Sequence, residues 1–216
     1  MNCAICGVRK PKRSCPGVQG EICSICCGTE REQSVDCPLE CDYLHEAHQH
    51  EKPPKLDPTT IPNMDVRVND SFLEENEAIL ILIGNAVLIG AVQTQGITDY
   101  DIREALESVI QSWRAAQSGL VYEAVPQNLY AAAIHQSVQT RVADMRKHET
   151  ESTGLATTVS DAKVLGILVF LQRLEYANNN GRKRSRAFLD FLTRFYIPPN
   201  EDSETIVEPD EPRVIL

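Results

Sequence analysis

Eight thiols fall within the first 41 residues of this 216-residue chain, at Cys3, Cys6, Cys15, Cys23, Cys26, Cys27, Cys37 and Cys41, and no cysteine follows. Cys3-Ala-Ile-Cys6-Gly7 reads as a metal knuckle. Two thiolates three positions apart can face one ion, and the glycine eases the backbone where its amides turn toward sulfur. Cys23-Ser-Ile-Cys26 repeats the pattern after sixteen intervening residues, which is the spacing of a four-cysteine zinc site. Cys15, Cys27, Cys37 and Cys41 then form a second complement of four. In this reading Cys26 faces one ion and its neighbour Cys27 the other, with Gly28 permitting the reversal. A cross-braced division of the same thiols is equally permitted, and His45, His48 or His50 can replace a thiolate.

Thiolate-rich tetrahedral sites suit zinc, so two zinc ions per chain are the expectation. Iron–sulfur clusters use cysteine groups too, some with adjacent pairs, and disulfides are the third possibility. Eight engaged thiolates leave no coordination position for water, which marks the sites as structural. The segment also needs them. About fifty residues with so few large apolar side chains hold a shape only if metal supplies much of the folding free energy.

The rest of the chain must carry this module. A 42 % apolar content supports a core, and a formal charge of −10 disfavours non-specific attraction to nucleic acid or anionic lipid. No secretory signal is visible near Met1, so a cytoplasmic location with reduced thiols is expected. The longest apolar run, Ala78 to Val92, is interrupted by Asn85 and falls short of the roughly twenty residues of a membrane span. No membrane role is expected.

Periodicity divides the chain into a Cys-rich zinc-binding module over 1–51, a proline-rich linker over 52–70, an all-helical domain over 71–197 and an acidic tail over 198–216. A short helix over about 38–50 closes the module, with Cys37 and Cys41 meeting at its start. The helical domain reads as an antiparallel bundle of about five helices. The first, roughly 71–94, is apolar nearly all round and belongs at the centre. Thr98 and Asp101 form a capping box for the second, which Ser118-Gly119 ends. Pro126 opens a third, with Tyr130, Ile134, Val138, Val142 and Met145 inward, and residues 147–160 read as a loop. Ser160 or Asp161 caps the fourth, and Asn178 to Gly181 break it. The fifth spans about 183–196. In the tail, 204–207 or 213–216 could pair as a short strand.

Arg182, Lys183, Arg184 and Arg186 fall at that break and at the predicted start of the fifth helix. Cations there are unfavourable and call for an anionic partner, which makes the cluster a candidate anion-binding site. Neutralisation by the acidic tail is the plainer reading. Lys10, Lys12 and Arg13 add a second basic stretch, yet residues 1–55 hold seven Lys or Arg against eight Asp or Glu, so the module is no basic stripe. His135 has no nucleophile pattern beside it and reads as structural. Trp113, Phe188, Phe191 and Phe195 read as core. The chain carries no phosphate-cradling glycine loop, dinucleotide fingerprint or metalloprotease motif, so enzyme is the least supported class.

The stretch RSCPGVQGEICSICCGTEREQSVDCPLECDYLHEA resembles the opening of a group of uncharacterised bacterial proteins, in which a double-cysteine knuckle precedes a helix starting CP..C.YL. LVFLQRLEYANNNGRKRSRAFLDFL is similar to their helical half. The resemblance implies bacterial origin and an intact two-part architecture, and no reaction. A looser likeness to MYND and HIT fingers implies protein partners. It lacks the final cysteine after His45 and His48, and Cys15 and Cys27 are extra. The expected function is that of a zinc-binding adaptor or regulator engaging a protein partner, with nucleic-acid binding through the basic stretches as the alternative.

Overall fold

A computed structural model of the chain describes residues 2–52, 56–120 and 123–196. It is mostly helical, with eight α-helices and one small hairpin among the described residues. The hairpin pairs β1 (Arg13–Cys15) with β2 (Gly20–Ile22) through a single 3-10 turn, Pro16–Val18. α1 (Ser24–Glu30) follows at once, and α2 (Asp42–His50) starts with Cys41 as its N-cap. Residues 38–40 are therefore outside the short helix expected from about 38.

The helical domain begins with α3 (Asp70–Glu75) and α4 (Glu77–Val92), which together replace the single helix expected over 71–94. Asn76 causes the break: its side-chain amide donates to the Phe72 carbonyl at 2.8 Å, while its own backbone leaves helical geometry with φ −121° and ψ 24°. α5 (Asp99–Gln117) carries the Thr98–Asp101 capping box, and Gly119 with φ 76° ends it. α6 (Leu129–Thr153) starts at Asn128, whose side chain caps Tyr130, and not at Pro126. It runs through residues 147–153, expected as loop, before Gly154 stops it. α7 (Asp161–Asn178) is capped by Ser160. α8 (Ala187–Phe195) begins four residues later than expected from 183, so Arg182, Lys183 and Arg184 lie in the turn before it.

Around the core, α4 packs on α6, α6 on α5, α5 on α7, and α7 back on α4. Sequence neighbours α4 and α5 are thus diagonal in this ring. α8 contacts α4, α5 and α7 within the bundle and also touches α2, which brings the Cys-rich segment onto the bundle. Ile83, Leu88, Ile102, Leu106, Ile134, Ile167, Leu168, Leu171 and Phe188 fill the interior.

The α4–α6 crossing is close because Gly90 has no side chain there. A Cβ at that position would lie 2.9 Å from the Ile134 Cα, and Ser137 donates across the same contact to the Ala86 carbonyl at 2.8 Å. Gly90→Ala is expected to destabilise the bundle by about 1–3 kcal/mol through overpacking, read as a lowered thermal midpoint.

Residues 62–66 of the proline-rich segment are strapped onto the bundle. Arg173 of α7 donates to the carbonyls of Pro62, Asn63 and Val66, and Arg114 of α5 donates to the Asn63 side chain at 2.7 Å and to Asp65. Among the described residues no helix is long and apolar enough to cross a membrane. The expected acidic tail and its strand candidates lie outside the described residues.

Candidate metal centre

Cys3, Cys6, Cys23 and Cys26 converge, their sulfurs all lying within 4.8 Å of one another. A tetrahedron of thiolates about 2.3 Å from a zinc ion has edges of about 3.8 Å, so small side-chain adjustments close this group on one ion. The first knuckle turns as its sequence requires: Gly7 sits at φ 67° and its amide donates to the Cys3 carbonyl at 2.8 Å. The second is the start of α1. Cys23 is the N-cap, its sulfur accepting from the Cys26 amide at 3.4 Å, and the Cys23 amide donates to the Cys3 sulfur at 3.2 Å.

These amides favour thiolate. Hydrogen bonding from the Cys6 backbone, helped by the Cys23 and Ile5 amides, pulls the Cys3 thiol down to about 6 against the cost of burial. Burial and the neighbouring sulfurs push Cys26 up to about 12. A quartet so divided gains most from a cation at its centre, which removes the mutual repulsion.

The adjacent cysteines do diverge, but for a different reason from the one expected. Gly28 lies inside α1 and makes no reversal. Successive residues of a helix point about 100° apart, and this sends Cys26 to the first quartet and Cys27 to the other side. There Cys15, Cys27, Cys37 and Cys41 line one cavity of about 20 Å³, with Ile22 and Leu44 among its walls. These sulfurs stand further apart than those of the first quartet, and no three of them lie within 4.8 Å of one another. The space nonetheless suits a single small guest, since a water-sized sphere needs only about 10–15 Å³. Burial pushes the Cys37 thiol up to about 11, and the nearby charges of Glu32, Cys15 and Cys41 add to the rise. Arg13, stacked 4.3 Å over the Tyr43 ring, donates to the Cys27 sulfur at 3.2 Å. The donor set is soft, with Cys15 and Cys37 buried and Cys27 and Cys41 half-buried, and its chemistry suits an ion such as zinc once the sulfurs draw together.

Only Ile22, Val35 and Leu44 supply large buried aliphatics among the cysteines of this segment. That is too little for about fifty residues to fold on, as the composition implies.

The histidines go elsewhere. Neither His45 nor His48 joins a thiol cluster among the described residues. The side chain of His48 is buried, with Nδ1 3.0 Å from Asp190 Oδ2 on α8 and Nε2 3.1 Å from Glu32 Oε2. Two carboxylate partners require both ring nitrogens to donate, so the ring is an imidazolium. Burial alone would depress His48, but the bonds to Asp190 and Glu32 outweigh it and raise the group from 6.5 to about 9. The same bonds, with Arg194, carry Asp190 from 3.8 down to about 2 in spite of burial. His45 Nδ1 lies 2.6 Å from Asp190 Oδ1 in poor hydrogen-bond alignment, and His50 is exposed.

A pH dependence follows. A raised histidine stabilises fully below its unfolded value and loses this as pH climbs through its folded one; a depressed aspartate stabilises above its unfolded value and fails only in acid. Stability is therefore expected to fall between pH 6.5 and about 9 by up to about 3 kcal/mol from His48, while the Asp190 share persists down to about pH 3.8. Urea midpoints across this range check it, with His48→Asn flattening the decline.

Glu32, His48 and Glu51 also bring one possible ligand atom each within 4.8 Å. Donors already fill this group: Asn180 Nδ2 reaches Glu32 at 2.7 Å and Glu51 at 3.0 Å, and the Arg186 amide donates to Glu32 at 2.6 Å. A cation would have to displace them.

The basic cluster faces the Cys-rich segment. Arg182 donates to the Arg31 carbonyl at 2.7 Å, and the Arg184 amide donates to the Glu32 carbonyl at 2.7 Å. Buried Arg186 donates to the carbonyls of Cys37 and Ile97 and pairs with Asp36 at 2.7 Å. Lys183, Lys10 and Lys12 are exposed. The anionic partner that these arginines call for is largely supplied by the chain itself.

Sequence reasoning missed Glu32, Asn180 and Asp190. Only Asp190 carried a signal, as a lone carboxylate inside the apolar FLDFL face of α8. It also missed fully buried Asp99, which accepts the Ser185 hydroxyl and the amides of Phe188 and Leu189 and so caps α8 from α5.

A groove of about 820 Å³ beside α5 and α6 is lined by Trp113, Gln136, Thr140 and Arg146, among others. Close by, buried His135 bonds Ser108 at 2.8 Å and Glu123 at 3.3 Å. The Ser108 hydroxyl also lies 2.9 Å from the Ala105 carbonyl, so its one proton has two acceptors in reach, and the trio ties α6 to α5 and to Glu123.

The chain matches no family model, no curated protein and no solved structure.

Proposed function

We propose that this chain is a zinc-binding adaptor that holds two zinc ions, one in Cys3–Cys6–Cys23–Cys26 and one in Cys15–Cys27–Cys37–Cys41, and engages a protein partner through the metal-folded segment. The observation that carries the reading is the convergence of the two knuckles within 4.8 Å, with backbone amides aimed at their sulfurs. Zinc bound there supplies structural cross-linking. The residues between ligands then become a rigid surface.

The exposed tips of the knuckles favour a protein over a nucleic acid. Ile5 and Ile25 occupy the same place in each knuckle, and Val8 lies beside the first, all three exposed. Aliphatic tips suit the apolar anchors of a polypeptide, whereas unstacked bases need aromatic platforms. Arg13, Arg182 and Arg186 of the basic stretches are engaged within the chain. A cytoplasmic location and kinship with the bacterial group described above belong to the same reading.

Crosslinking with Ile5→Asp and Ile25→Asp as a paired variant tests it. Loss of captured polypeptides with two zinc ions retained supports a knuckle-borne protein interface. Steeply salt-dependent retention of nucleic acid by the wild type, lost on replacing Lys10 and Lys12, would overturn it.

A further inference from the structure

Residues 31–37 connect Cys27 to Cys37, two walls of the second thiol cavity, and they are also the part of the Cys-rich segment that the bundle grips most heavily. The amides of Gln33, Ser34 and Val35 all point to the Glu30 carbonyl at 3.1–3.2 Å, which winds the segment into a tight turn. At its apex Glu32 adopts φ 53°, a left-handed conformation that costs a glutamate about 1–2 kcal/mol. Strain of this kind persists only where the surroundings over-determine it.

Two sets of contacts do so. On one side the turn is anchored by Cys27 and Cys37, which face the cavity. On the other, fully buried Glu32 takes His48, Asn180 and the Arg186 amide on its carboxylate and the Arg184 amide on its carbonyl. Arg186 reaches past it to the Cys37 carbonyl itself, and Arg182 holds Arg31.

We infer that residues 31–37 couple occupancy of the Cys15–Cys27–Cys37–Cys41 site to docking of the Cys-rich segment on the 179–186 turn and α8. This rests on the two-zinc reading. Zinc drawn onto Cys27 and Cys37 fixes the turn in the shape that the bundle binds, and the docked bundle in turn holds those cysteines for the ion. Coupling of this kind is reciprocal: whatever factor zinc adds to docking, docking adds to zinc affinity. The helical domain thereby senses the second ion more directly than the first, whose ligands lie outside the turn.

The test is a zinc competition titration of the full chain against a chromophoric chelator, with the one- and two-zinc species resolved by native mass spectrometry. Arg186→Met is expected to weaken the more weakly held zinc about tenfold or more and to leave the other unchanged. Arg182→Met, at a half-buried position where folding is less at risk, is expected to act in the same direction to a smaller degree. Hydrogen exchange supplies the reverse arm: withdrawing one equivalent of zinc should deprotect the amides of Arg184 and Arg186, bonded to Glu32, while the amides of α5 and α6 stay protected. Two zinc ions bound with affinities untouched by either substitution would sink the coupling alone. A chain that takes up only one zinc would sink the two-zinc reading and the coupling with it.

Discussion

Replacing Cys23 with serine is expected to remove the zinc ion of the first site, to weaken the second through Cys15 and Cys27, and to unfold residues 2–30 while the bundle stays helical. Cys23 serves the first site in three ways. Its sulfur is one of the four converging thiols, its sulfur also caps α1 through the Cys26 amide, and its own amide bonds the Cys3 sulfur. Structural zinc in small finger peptides contributes on the order of 10–16 kcal/mol at neutral pH, which is comparable to or larger than the roughly 5–15 kcal/mol stability of an ordinary domain. With only Ile22, Val35 and Leu44 as large buried aliphatics, the segment has no second source of comparable size. The expected signature is loss of dispersed amide resonances from the first thirty residues. Far-ultraviolet ellipticity should change little, because α4 to α8 hold most of the helix.

The second large effect belongs to Glu32→Ala, which is expected to destabilise the chain by about 3–5 kcal/mol. Truncating one member of a buried charged network leaves the others uncompensated. Here the His48 imidazolium would keep only Asp190, and the buried Arg186 amide and the half-buried Asn180 amide would each lose an acceptor. At about 2–4 °C per kcal/mol for a chain of this size, the thermal midpoint falls by about 6–20 °C. Glu32→Gln, which keeps the shape and one acceptor oxygen, should fall by less than half as much. An equal loss in both would mean that packing and not charge holds this joint.

Much of the outline was legible in the residues. The knuckle spacing identified the four thiols that meet, and the Thr98–Asp101 box, Ser160 and Ser118-Gly119 marked real helix ends because capping is local chemistry. Other elements carried no such mark. α1 is seven residues, all but Glu30 of middling or poor helix propensity and with no apolar stripe, and so short a helix is set by its surroundings. The end of α6 projects with residues 147–153 largely exposed, so it shows no apolar periodicity to read, and its good helix formers, Lys147, Glu149 and Glu151, alternate with weaker ones. The break at Asn76 depends on one side-chain bond inside an otherwise continuous apolar pattern.

The joint between the two parts was least legible. Arg182, Arg184 and Arg186 announced a need for acceptors, but carbonyls of residues more than 140 positions away leave no trace in a local pattern. The proline-rich segment read as a linker because prolines block helix; that Arg173 would gather its carbonyls is likewise a tertiary fact. Glu32 sits in a polar stretch where burial of a carboxylate has no sequence signature at all.

Metal-organised thiols are the claim on which the rest stands, and the mass of the intact chain tests them most directly. Native mass spectrometry should show the polypeptide plus two zinc ions, and the denatured spectrum the bare chain with eight free thiols. A folded native species at the bare mass, or one lighter by the hydrogens lost to disulfide bonds, would contradict it.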